Sequence, residues 1–190
     1  LYDKRDQSFR PSDGYFSRFN QNLPLLSNDY SISNTYDFKT YHKLSENTVS
    51  NLSFHLASIN SLDGGDVRVS DRKYLSPRKL RGFEPGKVGP KDNLDFIGGN
   101  YASSASLSTT LPTLLPELES VDFNIFLDAG NLWGVDYDSG LDNSKIRSST
   151  GLSIDWLTPV GPLNFIFAQP ITKVSTDVEQ TFRFDIGTTF

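Results

Sequence analysis

Thr181-Phe182-Arg183-Phe184-Asp185-Ile186-Gly187 is the stretch whose reading decides the fold class. Successive side chains of an extended strand point to opposite faces, so Phe182, Phe184 and Ile186 share one face and Arg183, Asp185 and Gly187 the other. A helix would scatter the same residues around its circumference. The stretch therefore reads as a β-strand with one apolar and one polar face.

Toward the N-terminus the same period recurs. Leu163, Phe165 and Phe167 align within Pro162 to Gln169, and Leu152, Ile154 and Trp156 align within Ser149 to Trp156. Val121, Phe123, Ile125 and Leu127 oppose Asp122, Asn124, Phe126 and Asp128, which aims Asp128 at the polar side. Weaker alternation runs through Gly99 to Pro112, Asn51 to Ser58, Ser31 to Tyr41 and Gly14 to Leu23. About eight strands result. Turn signals separate them, among them Pro11-Ser12-Asp13-Gly14, Asp63-Gly64-Gly65-Asp66 and Pro159-Val160-Gly161-Pro162. Helical period nowhere persists beyond about two turns, and proline interrupts the best candidate, Leu111 to Leu118. The expectation is an all-β antiparallel chain of consecutive hairpins.

The connections differ in length. Thr158 to Pro162 is tight, whereas Leu62 to Gly98 and Gly134 to Lys145 are long. Transmembrane β-barrels alternate short and long connections in this way, and their strands escape any search for apolar runs of about 18 residues or more. The composition agrees, with a mean hydropathy of −0.39 and 13% aromatic residues. In a soluble β-sandwich the apolar faces would be a core. Against that rival stand the aromatic-rich late strands and the polar residues Asp122, Asn124, Asp155, Arg183 and Asp185 opposite them, which suit a wet lumen behind a lipid-facing wall. The ending on Phe190 points the same way.

Other functions are excluded by composition. The 190 residues contain no cysteine, so neither disulfides nor thiolate zinc sites are available, and His42 and His55 cannot form a zinc site alone. Net charge is −5 without a basic stripe, which leaves no electrostatic footprint for nucleic acid. Gly82 to Val88 lacks the first glycine and the closing Ser or Thr of a phosphate loop. Asp136, Asp138 and Asp142 have part of a calcium-loop spacing, but the glycine falls early and Arg147 stands where the closing Glu belongs. The two histidines lie on different strands, without the order a catalytic triad requires. No enzyme and no cofactor is expected. With no Met and an opening on Leu1-Tyr2, the chain reads as a piece of a longer protein.

One motif remains. Leu80-Arg81-Gly82-Phe83 sits in the long loop at 62–98, where a turn at Gly82 can set one arginine against a distant carboxylate. This motif, with Gly98-Gly99-Asn100, Phe126 to Trp133, Pro159 to Leu163 and the Phe190 ending, resembles the C-terminal part of the barrel of the BamA family of outer-membrane protein assembly factors, the bacterial surface antigen family. Tyr2 to Asp6 resembles a strand and turn ahead of that loop.

The resemblance implies a barrel of about sixteen strands, of which this chain holds about the last eight, with POTRA repeats and the first strands preceding residue 1. It implies a loop folded into the lumen, Arg81 contacting acidic residues of the wall, and Asp128 as one of these. Phe182, Phe184, Ile186, Gly187 and Phe190 would form the C-terminal strand that serves as a signal and closes a lateral seam. Two departures stand out. Leu80 replaces the usual Val, and Ser108 falls where many relatives carry Glu, which leaves the clamp on one carboxylate or on another such as Glu84. The function implied is folding and inserting β-barrel proteins into the outer membrane of a Gram-negative bacterium. The partners would be unfolded outer-membrane proteins, outer-membrane lipid and, through the POTRA repeats, accessory lipoproteins. The rivals are a TamA-like or two-partner secretion barrel and a passive porin.

Overall fold

The computed structural model describes residues 1–8, 10–24, 30–111, 120–159 and 161–187. Its strands are β1 (Tyr2–Asp3), β2 (Gly14–Asn22), β3 (Ser31–Ser45), β4 (Thr48–Ser61), β5 (Lys91–Asp92), β6 (Asp95–Phe96), β7 (Tyr101–Thr110), β8 (Val121–Trp133), β9 (Arg147–Thr158), β10 (Gly161–Thr172) and β11 (Phe182–Ile186). All but β5 and β6 form one nine-stranded sheet in the order β1-β2-β3-β4-β7-β8-β9-β10-β11. Every pairing is antiparallel and joins neighbours in sequence, and β1 and β11 are the open edges. The strand count exceeds the expectation by the short β1, held through Tyr2↔Ser17 and Asp3↔Phe16.

Several strands outrun their apolar cores. β3 and β4 form a long hairpin that turns at Glu46-Asn47, although alternation was legible only over Ser31 to Tyr41 and Asn51 to Ser58. Their ends are mostly polar, with Leu44, Val49 and Ile59 as single apolar residues, too few for a reading built on apolar period. Pro170 lies within β10 where the register shifts against β9, as expected of a residue with no N–H to give the ladder. The candidate helix Leu111 to Leu118 falls, apart from Leu111, outside the described residues.

The two faces of the sheet are unlike. One exposes Phe54, Leu56, Leu107, Ile125, Leu127, Trp156, Phe167, Phe182 and Phe184 as an apolar band. Leu127 is 49% exposed although it lies on β8, an interior strand of the sheet, where the apolar face of a sandwich would be covered by a second sheet. Phe165 stacks on Phe184 at 4.8 Å and Phe167 on Phe182 at 5.1 Å, and Tyr101 meets Trp133 at 5.8 Å at the end with the longest loop.

The opposite face carries Ser104, Ser106, Ser108, Asn124, Asp128, Arg147, Ser149 and Ser153, all buried. Arg147 is bonded by the β10–β11 connection, and Ser106, Asp128 and Ser149 by the long connection, residues 62–100. Leu75, Leu80, Phe83 and Val88 from this loop pack with Ala102 and Leu132 of the sheet, and Phe126, Ile166 and Ala168 form a second cluster beside them. The core thus lies between loop and wall. Each such side chain, fully buried, contributes about 1.5–3 kcal/mol.

Candidate functional site

Ser76-Pro77-Arg78-Lys79 makes a turn closed by Lys79 N–H to the Ser76 carbonyl at 2.9 Å, with proline at the second position that such turns favour. The turn delivers Leu80 and Arg81 to the wall. Arg81 donates three bonds to one carboxylate: its backbone N–H and Nε reach Asp128 Oδ2 at 3.0 and 2.7 Å, and Nη2 reaches Oδ1 at 2.6 Å. Ser106 Oγ accepts from Nη2 at 2.9 Å and donates to Asp128 Oδ1 at 2.6 Å. Beneath, the guanidinium lies 3.5 Å from the centroid of the Phe126 ring. Ser149 Oγ donates to the Arg81 carbonyl at 2.5 Å. One face of the guanidinium plane, its donating edge and both carboxylate oxygens are thus engaged, the arrangement in which a desolvated pair holds best.

Gly82 has φ +90°, and a Cβ there would stand 3.2 Å from Ser149 Cβ and 3.3 Å from Ala168 Cβ. Only glycine takes this turn so close to β9 and β10 without strain. From here the loop runs along the β10–β11 connection. Gln180 N–H donates to the Gly82 carbonyl at 2.9 Å, Glu84 N–H to the Val178 carbonyl at 2.9 Å, and Val178 N–H to the Lys87 carbonyl at 3.0 Å. Phe83 is 2% exposed in the core cluster.

Leu80, Arg81, Gly82, Phe83 and Asp128 are therefore brought together. Ser108 is not the second partner: it pairs in register with Phe126, and Ser106, opposite Asp128, occupies that role. Glu84 is exposed and engages the neighbouring loop through its backbone, so it does not reinforce the clamp. Phe182, Phe184 and Ile186 lie on the apolar face, Gly187 has φ +71° and donates to the Pro162 carbonyl at 2.9 Å, and Phe190 lies outside the described residues.

Three further ionic contacts escaped the sequence reading. Arg147 of β9 meets Asp177 of the β10–β11 connection at 3.0 and 3.1 Å, both side chains fully buried, and also donates to Asn131 Oδ1 at 2.5 Å. Arg72 pairs with Asp136, which also accepts from Val67 N–H at 2.7 Å and Asn100 Nδ2 at 3.0 Å. Burial alone would raise the Asp136 carboxyl, but those donors and the Arg72 charge hold it below the ordinary range. Lys79 reaches both Asp37 and His55. The ionic partners are separated by 24 to 64 residues, and no local pattern joins them. Asp138 and Asp142 are spent on backbone N–H groups of Gly140, Gly134 and Val135.

A sheet with an apolar outer face and a polar inner face, occupied by its own long loop, is the wall of a transmembrane β-barrel. The Omp85 superfamily domain matches residues 1–190, and the chain belongs to that superfamily. The outer membrane protein assembly factor BamA of Neisseria meningitidis is 26% identical over 99% of this chain, which covers 28% of that protein. A SAM50-like protein of Schizosaccharomyces pombe is 30% identical over 99% of the chain, which covers 42% of it. Among solved structures, BamA from Haemophilus ducreyi lacking POTRA domains 1–3 superimposes with a TM-score of 0.89 at 27% identity, covering 100% of this chain and 41% of that one. The chain thus spans less than half the length of these relatives.

Proposed function

We propose that the chain forms the C-terminal part of the barrel of an outer-membrane protein assembly factor, a noncatalytic component that folds and inserts β-barrel proteins. The observation that carries this reading is the Arg81–Asp128 clamp, which commits a long connection to the inner face of the wall. In the intact protein, POTRA repeats would precede residue 1 and receive accessory lipoproteins. β11, which pairs with β10 over Leu163 to Phe167 and leaves its other edge open among the described residues, would be the movable side of a lateral seam, presenting a strand edge to an unfolded client. The membrane would be the outer membrane of a Gram-negative bacterium. The SAM50-like relative favours a second location, the outer membrane of an organelle.

The test is made in the full-length protein. Arg81→Ala leaves the fully buried Asp128 without its counter-charge, a loss of about 3–5 kcal/mol, and should lower the amount of client barrels reaching the membrane. Exchanging the charges, with Arg81→Asp and Asp128→Arg together, should restore part of it. Normal client assembly in Arg81→Ala, with the loop shown to be undocked, would overturn the reading.

A further inference from the structure

Across the lumen from Asp128, the same loop makes a second contact with different chemistry. Lys79 Nζ reaches Asp37 Oδ1 of β3 and lies 2.5 Å from His55 Nδ1 of β4. His55 Nδ1 is also 2.8 Å from the same Asp37 oxygen. One ring nitrogen cannot satisfy both neighbours. It carries either a lone pair, which accepts from the Lys79 ammonium, or a proton, which donates to the Asp37 carboxylate.

In the first state the Lys79 ammonium lies between two acceptors, the Nδ1 lone pair and the Asp37 carboxylate, and holds them together. Lys79 donates to His55 and to Asp37, and the imidazole holds its proton on Nε2. In the second state a proton from solvent binds Nδ1, the new N–H donates to Asp37, and Lys79 loses one acceptor and faces a second cation. Among the described residues that the structure sets around His55 and Lys79, no other counter-charge is offered. β3 contributes Asp37 and Lys39, the loop contributes Lys73, Arg78 and Lys79, the turn after β1 brings Arg5 toward Lys39, and β7 places the uncharged Ser104 opposite His55. Asp37 is the one carboxylate in this set. His55 is 9% exposed, so water screens the like charges poorly.

We propose that Asp37, His55 and Lys79 form a proton-controlled second anchor of the motif loop. The anchor is closed while His55 is neutral. When Nδ1 takes a proton it releases the loop's N-terminal arm, and the Arg81–Asp128 clamp stays in place. His55 and Asp37 are positioning residues, acting on the loop through Lys79. Histidine is the one group of the three whose unperturbed charge change falls within the range from about pH 5 to 8. The readout below is loop protection, so it stands or falls separately from the assembly reading.

The experiment measures backbone hydrogen exchange of the segment 76–80 in the full-length protein in detergent micelles from pH 5 to 8, corrected for the intrinsic pH dependence of exchange. Protection of this segment should drop by on the order of tenfold as pH falls, the loss of one charge-assisted hydrogen bond, while residues 125–128 of β8 keep theirs. In His55→Asn, whose carboxamide oxygen takes the place of Nδ1 and does not titrate, the profile should be flat with the loop protected. In Lys79→Met, a change confined to the loop and tolerable to the wall, it should be flat with the segment unprotected. A flat profile in the wild type, or a step that survives in either variant, overturns the proposal.

Discussion

Asp128 has no exposed side-chain surface, and a buried carboxylate is tolerated only where its hydrogen bonds are complete. Arg81 supplies three of them and Ser106 the fourth. Ser106→Ala should therefore weaken loop docking by about 1–3 kcal/mol, and Ser108→Ala should leave it unchanged, although both serines are buried on the same face of β7. Chemical unfolding of the two variants, followed by loss of loop protection, decides between them, and equal effects would refute the assignment to Ser106. The alternation of β8 aimed Asp128 inward from sequence alone. It also put Phe126 on the polar side without a reason. The reason is Arg81, whose guanidinium lies on that ring, and Gly151, where a Cβ would stand 2.7 Å from Phe126 Cζ. Choosing Ser106 over Ser108 required the β7–β8 register, which no motif announced.

At the scale of elements, three connections are tied to each other and to the wall. Loop 62–100 meets loop 134–146 through Arg72 and Asp136, and β9 meets the β10–β11 connection through Arg147 and Asp177. The Asp136 carboxyl is held below its unfolded value of about 3.9, so its contribution is complete above that pH and disappears as pH falls through the lower folded value. Protection of the amides of residues 67–72 should accordingly be constant from pH 8 to 5 and fail only below about pH 4. Asp136→Asn should remove that acid step, and a step near neutrality would refute the attribution. The strands themselves were legible because period two is local. The ion pairs were not, since a charged residue in a loop looks the same in sequence whether water or a buried partner receives it.

On the scale of the whole molecule, the sheet is a meander with an apolar outer face, a polar inner face and two open edges. One-sided alternation made this readable; the mostly polar hairpin ends did not show, and the short β1 was marked only by the resemblance of Tyr2 to Asp6 to a strand and turn. What the sheet lacks is a second layer to fix its bend, because lipid tails press on the outer face without preferring any curvature. Loop 62–100 supplies the constraint. It touches β3 through Lys73 and Ser33 and through Lys79 and Asp37, β8 through Arg81 and Asp128, and β9 through Arg81 and Ser149. Spin labels placed on the outer faces of β3 and β8 in the full-length protein should report a single sharp distance, which broadens when Lys79→Met and Arg81→Ala are combined. An unchanged distribution in the double variant would show that the strands hold their own shape. In engineering terms the loop is the tie rod of an arch: its length sets the chord, and the wall can spread or tighten only when one end of the rod is let go.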